Sequence, residues 1–314
     1  MAALLLCAAI TPTVYADLPL TIEDILTAER RWRADIDLVF ANSDRRNVDS
    51  LYGTIQLGPT QFITLPVSVG QARQNRDVFA LSVGARYGMS LDTELYSRVS
   101  ALSQSARTVG VGGSSVDGDD RFTGAWFGIN HRFSNDNDTP ALLGFSEFAL
   151  AENMASSGSE LVHGKTMMVG MTTYRAIDPL VLSLTTGYQY SIEREIEKQK
   201  IDPGDFFFIN PSIAFAVNYK VTLTTGVQMN WRQRDRIDNR GQGIRTTQTK
   251  MELGMGYAWS KRTTIQVSTR FDASGDGGAE FGITCLYKFP SRFSIAFEND
   301  KGGDVLDKED GHNH

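Results

Sequence analysis

Few side chains in this sequence have both the type and the spacing that chemistry needs. In "NHRFSND", His131 stands three positions before Ser134, the arrangement a hydroxyl nucleophile and its general base would require. His131 also shares parity with Phe127, Ile129 and Phe133 along an alternating segment, which turns its ring toward an oily face and reads as an interfacial histidine. "GVGGSS" has the glycines of a phosphate loop without the Lys or the following helix, and "ASGDGG" resembles a calcium turn only loosely, with no repeat behind it. His163 falls in a loop, and His312 and His314 end the chain as a solvated "HNH". Cys285 is the one cysteine left once Cys7 departs with an N-terminal signal, so neither a disulfide nor a zinc site can form. No catalytic residue, metal site or cofactor is therefore expected.

A second group of charged and amide residues recurs every second position: Arg33, Asp35 and Asp37, then Arg86, Arg98, Asn130, Arg132, Glu147, Gln189, Asn210, Asn230, Arg232, Lys250, Glu252, Arg270 and Lys288. Such spacing puts them on one face of extended strands. Around a water-filled passage, mixed charges set a transverse field that selects a polar solute, or they pair and stiffen a narrow interior. Both readings stay open from sequence.

The elements that would position them are strands. Trp32, Ala34, Ile36, Leu38 and Phe40 alternate with Arg33, Asp35 and Asp37, and Phe79, Leu81, Val83, Ala85 and Tyr87 alternate with Ser82, Gly84 and Arg86. The pattern recurs through "TELYSRVSALSQ", "RFTGAWFGINHRF", "ALLGFSEFALAE", "KTMMVGMTTYR", "LVLSLTTGYQYSIE", "FFFINPSIAFAVNY", "VTLTTGVQMNWRQR", "TTQTKMELGMGYAW", "RTTIQVSTRFD" and "AEFGITCLYKF", about twelve strands in all. Connections alternate strictly between long (43–76, 107–120, 153–163, 194–204, 234–245, 272–278) and short ("MSLDT", "SNDNDTP", "AIDP", "NYK", "WSKR"). That asymmetry belongs to an up-and-down meander whose two ends face different compartments, with tight periplasmic turns and long external loops. The "EREIEKQK" run reads as the rim of one such loop.

From Trp32 onward no apolar run is long enough for a spanning helix, so lipid would be crossed by strands, closed so that every backbone group finds a partner. On the last strand Phe281, Ile283 and Cys285 would face lipid, with Tyr287 and Phe289 in the periplasmic aromatic girdle. Its aromatic end resembles the terminal signal read by the outer-membrane assembly machinery, an expected partner. A formal net charge of -6 and a pI near 5.3 exclude nucleic acid as a partner.

The expected organisation is a secretory signal at 1–16 ("AALLLCAAI", without a basic n-region), a plug segment at 17–31, a barrel at 32–289 and an acidic, largely disordered tail at 290–314. In "LPLTIEDILTAERRW", Thr21 and Asp24 suggest a capping box and Ile22, Ile25 and Leu26 share a helical face, placing a short helix where it plugs the lumen or lies as an exposed turn. The stretch "SLYGTIQLGPTQFITLPVSVGQ" is either two further strands, for fourteen, or an external hairpin extending from or folding into the mouth. Pro66 favours the hairpin.

The segments "RWRADIDLVFANSDRR", "GPTQFITLPVSVGQARQNRD", "GARYGMSLDTELYSRVS", "DTPALLGF", "TTYRAIDPLVLSLTTGYQYS" and "NPSIAFAVNYKVTLTTGVQ" carry a resemblance. The chain resembles a bacterial outer-membrane transporter family named for the meta-pathway of phenol degradation, which includes the channel that secretes the Fap functional amyloid. The resemblance covers residues 20–289 and implies a twelve-stranded barrel with an N-terminal plug. The amyloid channel's long N-terminal coiled-coil region has no counterpart in this sequence. The functional expectation is a monomeric channel in the outer membrane of a Gram-negative bacterium, passing small, aromatic or hydrophobic solutes. The alternatives are an export pore for a peptide or protein, and a barrel enzyme of phospholipase type or a structural barrel.

Overall fold

A strand that alternates oily and charged residues has two faces needing opposite surroundings, and a closed cylinder in lipid supplies both. The computed structural model describes residues 26–48, 52–66, 70–110, 113–153, 160–196, 198–274 and 278–290. It is a closed antiparallel barrel of 12 strands. We number these β1 (Trp32–Val48), β2 (Gly70–Gly88), β3 (Thr93–Gly110), β4 (Gly113–Ser134), β5 (Ala141–Asn153), β6 (Thr166–Ile177), β7 (Leu180–Ser191), β8 (Phe206–Asn218), β9 (Val221–Arg232), β10 (Thr246–Ala258), β11 (Thr263–Asp272) and β12 (Gly278–Lys288). Each pairs with the next, and β12 returns to β1 in unbroken register from Arg33↔Lys288 to Ser43↔Gly278. Closure leaves the barrel without an edge, as hydrocarbon requires. The two-residue strand Leu161–Val162 adds to the outer end of β5.

Strand β1 shows the facing rule most plainly. Asp35 and Asp37 are 2% and 4% exposed, whereas their neighbours Ile36 and Leu38 are 48% and 40% exposed. The same outward band continues through Phe79, Leu81, Leu182, Phe215 and Leu253. At the short-turn end, aromatic pairs form the girdle: Trp32 with Tyr87 at 4.9 Å, Tyr257 with Trp259 at 6.2 Å, and Tyr287 with Phe289 at 5.1 Å between ring centroids.

Three features depart from the expected outline. Where a long connection is expected at 107–120, residues 107–110 and 113–120 continue the ladder: Thr93–Gly110 and Gly113–Ser134 pair from Thr93↔His131 to Gly110↔Gly113. That extension is exposed on both faces, with Val109 and Val116 among its polar residues, so no alternation announces it. The loops at 194–204 and 234–245 join into a four-stranded external sheet (Arg194–Ile196, Gln199–Asp202, Asp235–Ile237, Arg240–Gln242). The third departure is the helix expected over 17–31. Residues 26–31 run as a bend and an isolated bridge, Glu29 to Gly88, and no helix occurs among the described residues. Ile22, Ile25, the signal at 1–16 and residues 291–314 lie outside the described residues.

The segment at 52–66 pairs with itself. Tyr52–Gly58 and Gln61–Pro66 form a separate two-stranded sheet with no ladder to the barrel wall, which leaves the barrel at 12 strands. The hairpin turns into the lumen: Ile55, Leu57, Ile63 and Leu65 pack on Val39, Ala41, Val78, Ala80 and Leu102. Phe62 packs on the opposite wall, among Phe145, Met168, Phe206 and Phe208. At its base Tyr52 joins Ile196 and Ile201 of the external sheet. An amphipathic hairpin in a solvated tube would leave apolar surface wet, and folding inward buries that surface against both walls.

Candidate functional site

The lumen is the candidate site, and its two halves are built differently. In the half toward the short turns, the hub is Glu94, wholly buried on β3. Its carboxylate accepts from Arg86 Nη1 (3.2 Å), Arg33 Nη2 (3.4 Å) and Asn130 Nδ2 (2.8 Å). Arg86 also donates to Asp35 (2.6 Å) and stands 5.4 Å from the Tyr96 ring. Four residues further along β3, Arg98 donates to Glu147 (2.9 Å) while lying 4.9 Å over the Trp126 ring, and the Tyr96 hydroxyl donates to the same carboxylate (3.2 Å). Asp37 accepts from the Thr284 hydroxyl (2.6 Å). Charges this buried persist only when matched, so the network holds its members in fixed places and narrows this side of the bore.

The N-terminal segment enters the same hub. The Thr27 amide donates to Glu94 Oε2 at 2.7 Å, and its hydroxyl donates to that oxygen as well. The Arg30 amide donates to the Gly88 carbonyl (2.7 Å). Gly88 is required by this approach, because a Cβ there would stand 2.1 Å from the Ala28 carbonyl oxygen and 2.5 Å from that of Thr27. Leu26, half-buried, lines a cavity of about 310 Å³ at this mouth with Arg31, Trp32, Lys261, Lys288 and Phe289.

Across the bore in this half, the wall of β6 to β11 is small and hydroxylated. Ser183 and Ser212 bond each other (2.7 Å), as do Thr172 and Thr185 (3.0 Å). Ser183, Ser212, Thr224 and Ser268 are half-buried. Hydroxyls bonded sideways to one another present little unmet polarity to whatever moves past them.

In the external half, the hairpin fills the bore and two arginines hold it. Arg232 Nη2 donates to the Thr54 hydroxyl (2.8 Å), and Arg270 Nη1 donates to the Gln56 carbonyl (3.2 Å). Arg270 also faces Glu252 (3.3 Å) and Glu280 (3.5 Å), and Lys250 pairs with Glu280. A cavity of about 80 Å³ remains between hairpin and wall, lined by Thr54, Gln74, Arg76, Lys250 and Glu280.

Of the residues with luminal spacing, Arg33, Asp35, Asp37, Arg86, Arg98 and Glu147 thus meet in the lower network. Arg232, Lys250, Glu252 and Arg270 gather beside the hairpin. Arg132 lies apart from both, at the rim, donating to Asp92 (2.9 Å) and the Leu91 carbonyl (2.8 Å) of the tight turn. His131 and Ser134 are not joined: the imidazole bonds Thr93 (2.9 Å), and the serine hydroxyl donates to the Pro140 carbonyl (3.3 Å). Sequence reasoning passed over Glu94 although it shares parity with Arg98, and it passed over the inward apolar residues because a luminal face was read as polar.

No protein-family model matches the chain. In fold it is similar to an outer-membrane channel from Pseudomonas putida F1, with a TM-score of 0.60 and 9% identity over 89% of this chain and 100% of the other. It is also similar to the translocator domain of the autotransporter NalP from Neisseria meningitidis (TM-score 0.53, 10% identity, 82% of this chain and 88% of the other). The transport unit of the autotransporter AIDA-I from Escherichia coli aligns at a TM-score of 0.52 and 9% identity, over 82% and 90% of the two chains. The fold is that of an outer-membrane β-barrel. Its apolar belt, aromatic girdle and edgeless wall are what a lipid surrounding demands.

Proposed function

We propose that the protein is a non-enzymatic channel of the outer membrane that passes small apolar solutes, aromatic ones among them, and that two stoppers close it. The observation that carries this reading is the inward apolar wall under the hairpin. A bore meant for ions gains nothing from Phe145, Met168, Phe206 and Phe208 on its inside, whereas an apolar solute would find there the surroundings it prefers to water. The hydroxylated wall below offers such a solute a continuation toward the periplasm, beside the paired charges. In this reading Arg33, Asp35, Asp37, Arg86, Arg98 and Glu147 line and stiffen the lower lumen, and Arg232, Lys250, Glu252 and Arg270 line the upper lumen and hold the hairpin. Residues 17–31 close the periplasmic mouth, with Leu26 and Thr27 at its rim. A signal at 1–16 and the outer-membrane assembly machinery deliver the chain, and the finer likeness to the phenol meta-pathway transporter family belongs to the same proposal.

The test compares vesicles with a lipopolysaccharide outer leaflet, with and without the protein, for entry of toluene and of a disaccharide. Barrel-dependent entry of toluene with exclusion of the sugar is the expected result. Sugar entry without any effect on toluene overturns the reading.

A further inference from the structure

The walls of outer-membrane barrels are ordinarily polar inside, so an aromatic cluster there calls for an occupant. Across β5 to β8 four inward residues stand side by side in register: Phe145, Gly170, Gly187 and Phe208. A Cβ on Gly170 would lie 2.4 Å from the Phe145 ring, and one on Gly187 would lie 2.6 Å from the Phe208 ring and 3.2 Å from that of Phe145. The two missing side chains are what let the flanking rings lean over a bare floor from both sides. Met168 and Phe206, in register with Gln189 between them, complete the slot one row further out. Into it the hairpin inserts a single ring. Phe62 lies 4.9 Å from Phe208 at 54° and 5.1 Å from Phe206 at 66°, tilted geometries that suit aromatic quadrupoles. It is 3% exposed, on walls where Phe208 is 0% and Met168 1% exposed.

We infer that this slot is the lumen's binding site for one aromatic ring of a passing solute, and that Phe62 occupies it in the solute's stead. The inference rests on the channel reading and adds residues and a consequence to it. Solute and hairpin compete for one place, so an arriving ring displaces Phe62 and shifts the hairpin toward release. Aromatic solutes thereby promote their own passage. A saturated ring of the same size lacks the edge-to-face term and competes less well.

The competition is measurable with Phe62 intact. A single cysteine at Thr64→Cys, half-buried on the hairpin, is placed in a Cys7→Ser, Cys285→Ser background and reconstituted in nanodiscs. Its labelling rate with a membrane-impermeant maleimide is then followed with no solute, with toluene and with methylcyclohexane at equal thermodynamic activity. Toluene is expected to raise the rate about threefold or more and methylcyclohexane distinctly less, since release scales with differential occupancy of the slot. Phe206→Leu is expected to remove the difference between the two solutes. The contrast between solutes needs no slot variant, so a Phe206→Leu protein that fails to fold leaves the test standing. Equal responses, or none, overturn the slot. If toluene nevertheless enters lipopolysaccharide-bearing vesicles only through the barrel, the channel reading survives that failure. If it does not, both fall.

Discussion

The two segments proposed to close this lumen are made of opposite materials. Below, the N-terminal segment is tied by hydrogen bonds into a charge network centred on Glu94, where every member is fixed by a partner of opposite sign or a matched donor. Above, the hairpin is held by apolar surfaces on two walls and by two arginine bonds to Thr54 and Gln56. Paired buried charges are costly to separate and respond little to an apolar solute. Apolar contacts are exchanged readily for contacts with another apolar body. In the proposed reading, the lower segment is therefore structural and the upper one gates.

Breaking the upper stopper gives the largest expected effect. Replacing residues 52–66 with a short Gly/Ser linker is expected to multiply single-channel conductance in planar bilayers, while deletion of 17–31 alone gives a smaller rise. Equal rises would erase the distinction. Next in size is Glu94→Ala, which takes one acceptor from each of Arg33, Arg86 and Asn130 and removes the acceptor for Thr27. A loss of about 3–5 kcal/mol in urea unfolding from micelles is expected, with faster proteolysis near residues 26–31. Arg232→Leu removes the bond to Thr54, at a cost of about 1–3 kcal/mol for the buried groups left unpaired. Hydrogen exchange should then quicken across 52–66 and stay unchanged around Glu94. The smallest effect belongs to Ser183→Ala on the hydroxylated wall: less than about 1 kcal/mol in stability, with conductance preserved.

Much of the barrel was legible because strand periodicity is local. Ile36 and Leu38 alternate with Asp35 and Asp37 whatever lies beside them, and the contrast of tight "NYK" or "WSKR" turns with long loops is visible in the chain itself. The inward parity of Arg98, Arg232 and Arg270 follows from the same rule. Their partners do not, since Arg98 meets Glu147 from 49 positions away and Arg270 meets the Gln56 carbonyl from 214. Nor did the strand extension at 107–120 carry a signal, because a ladder exposed to water on both faces needs no alternation.

The sequence by itself determined that this chain forms strands with one greasy face each, of a length and loop asymmetry suited to an outer membrane, because side-chain direction in a strand depends only on parity. Tertiary structure decided what fills the tube. The same alternating pattern in "YGTIQLGPTQFITLP" would serve a wall strand or an inserted hairpin equally well. Only the closed wall, offering apolar surface on two sides of its interior, selects the second, since the hairpin's apolar residues are buried against both.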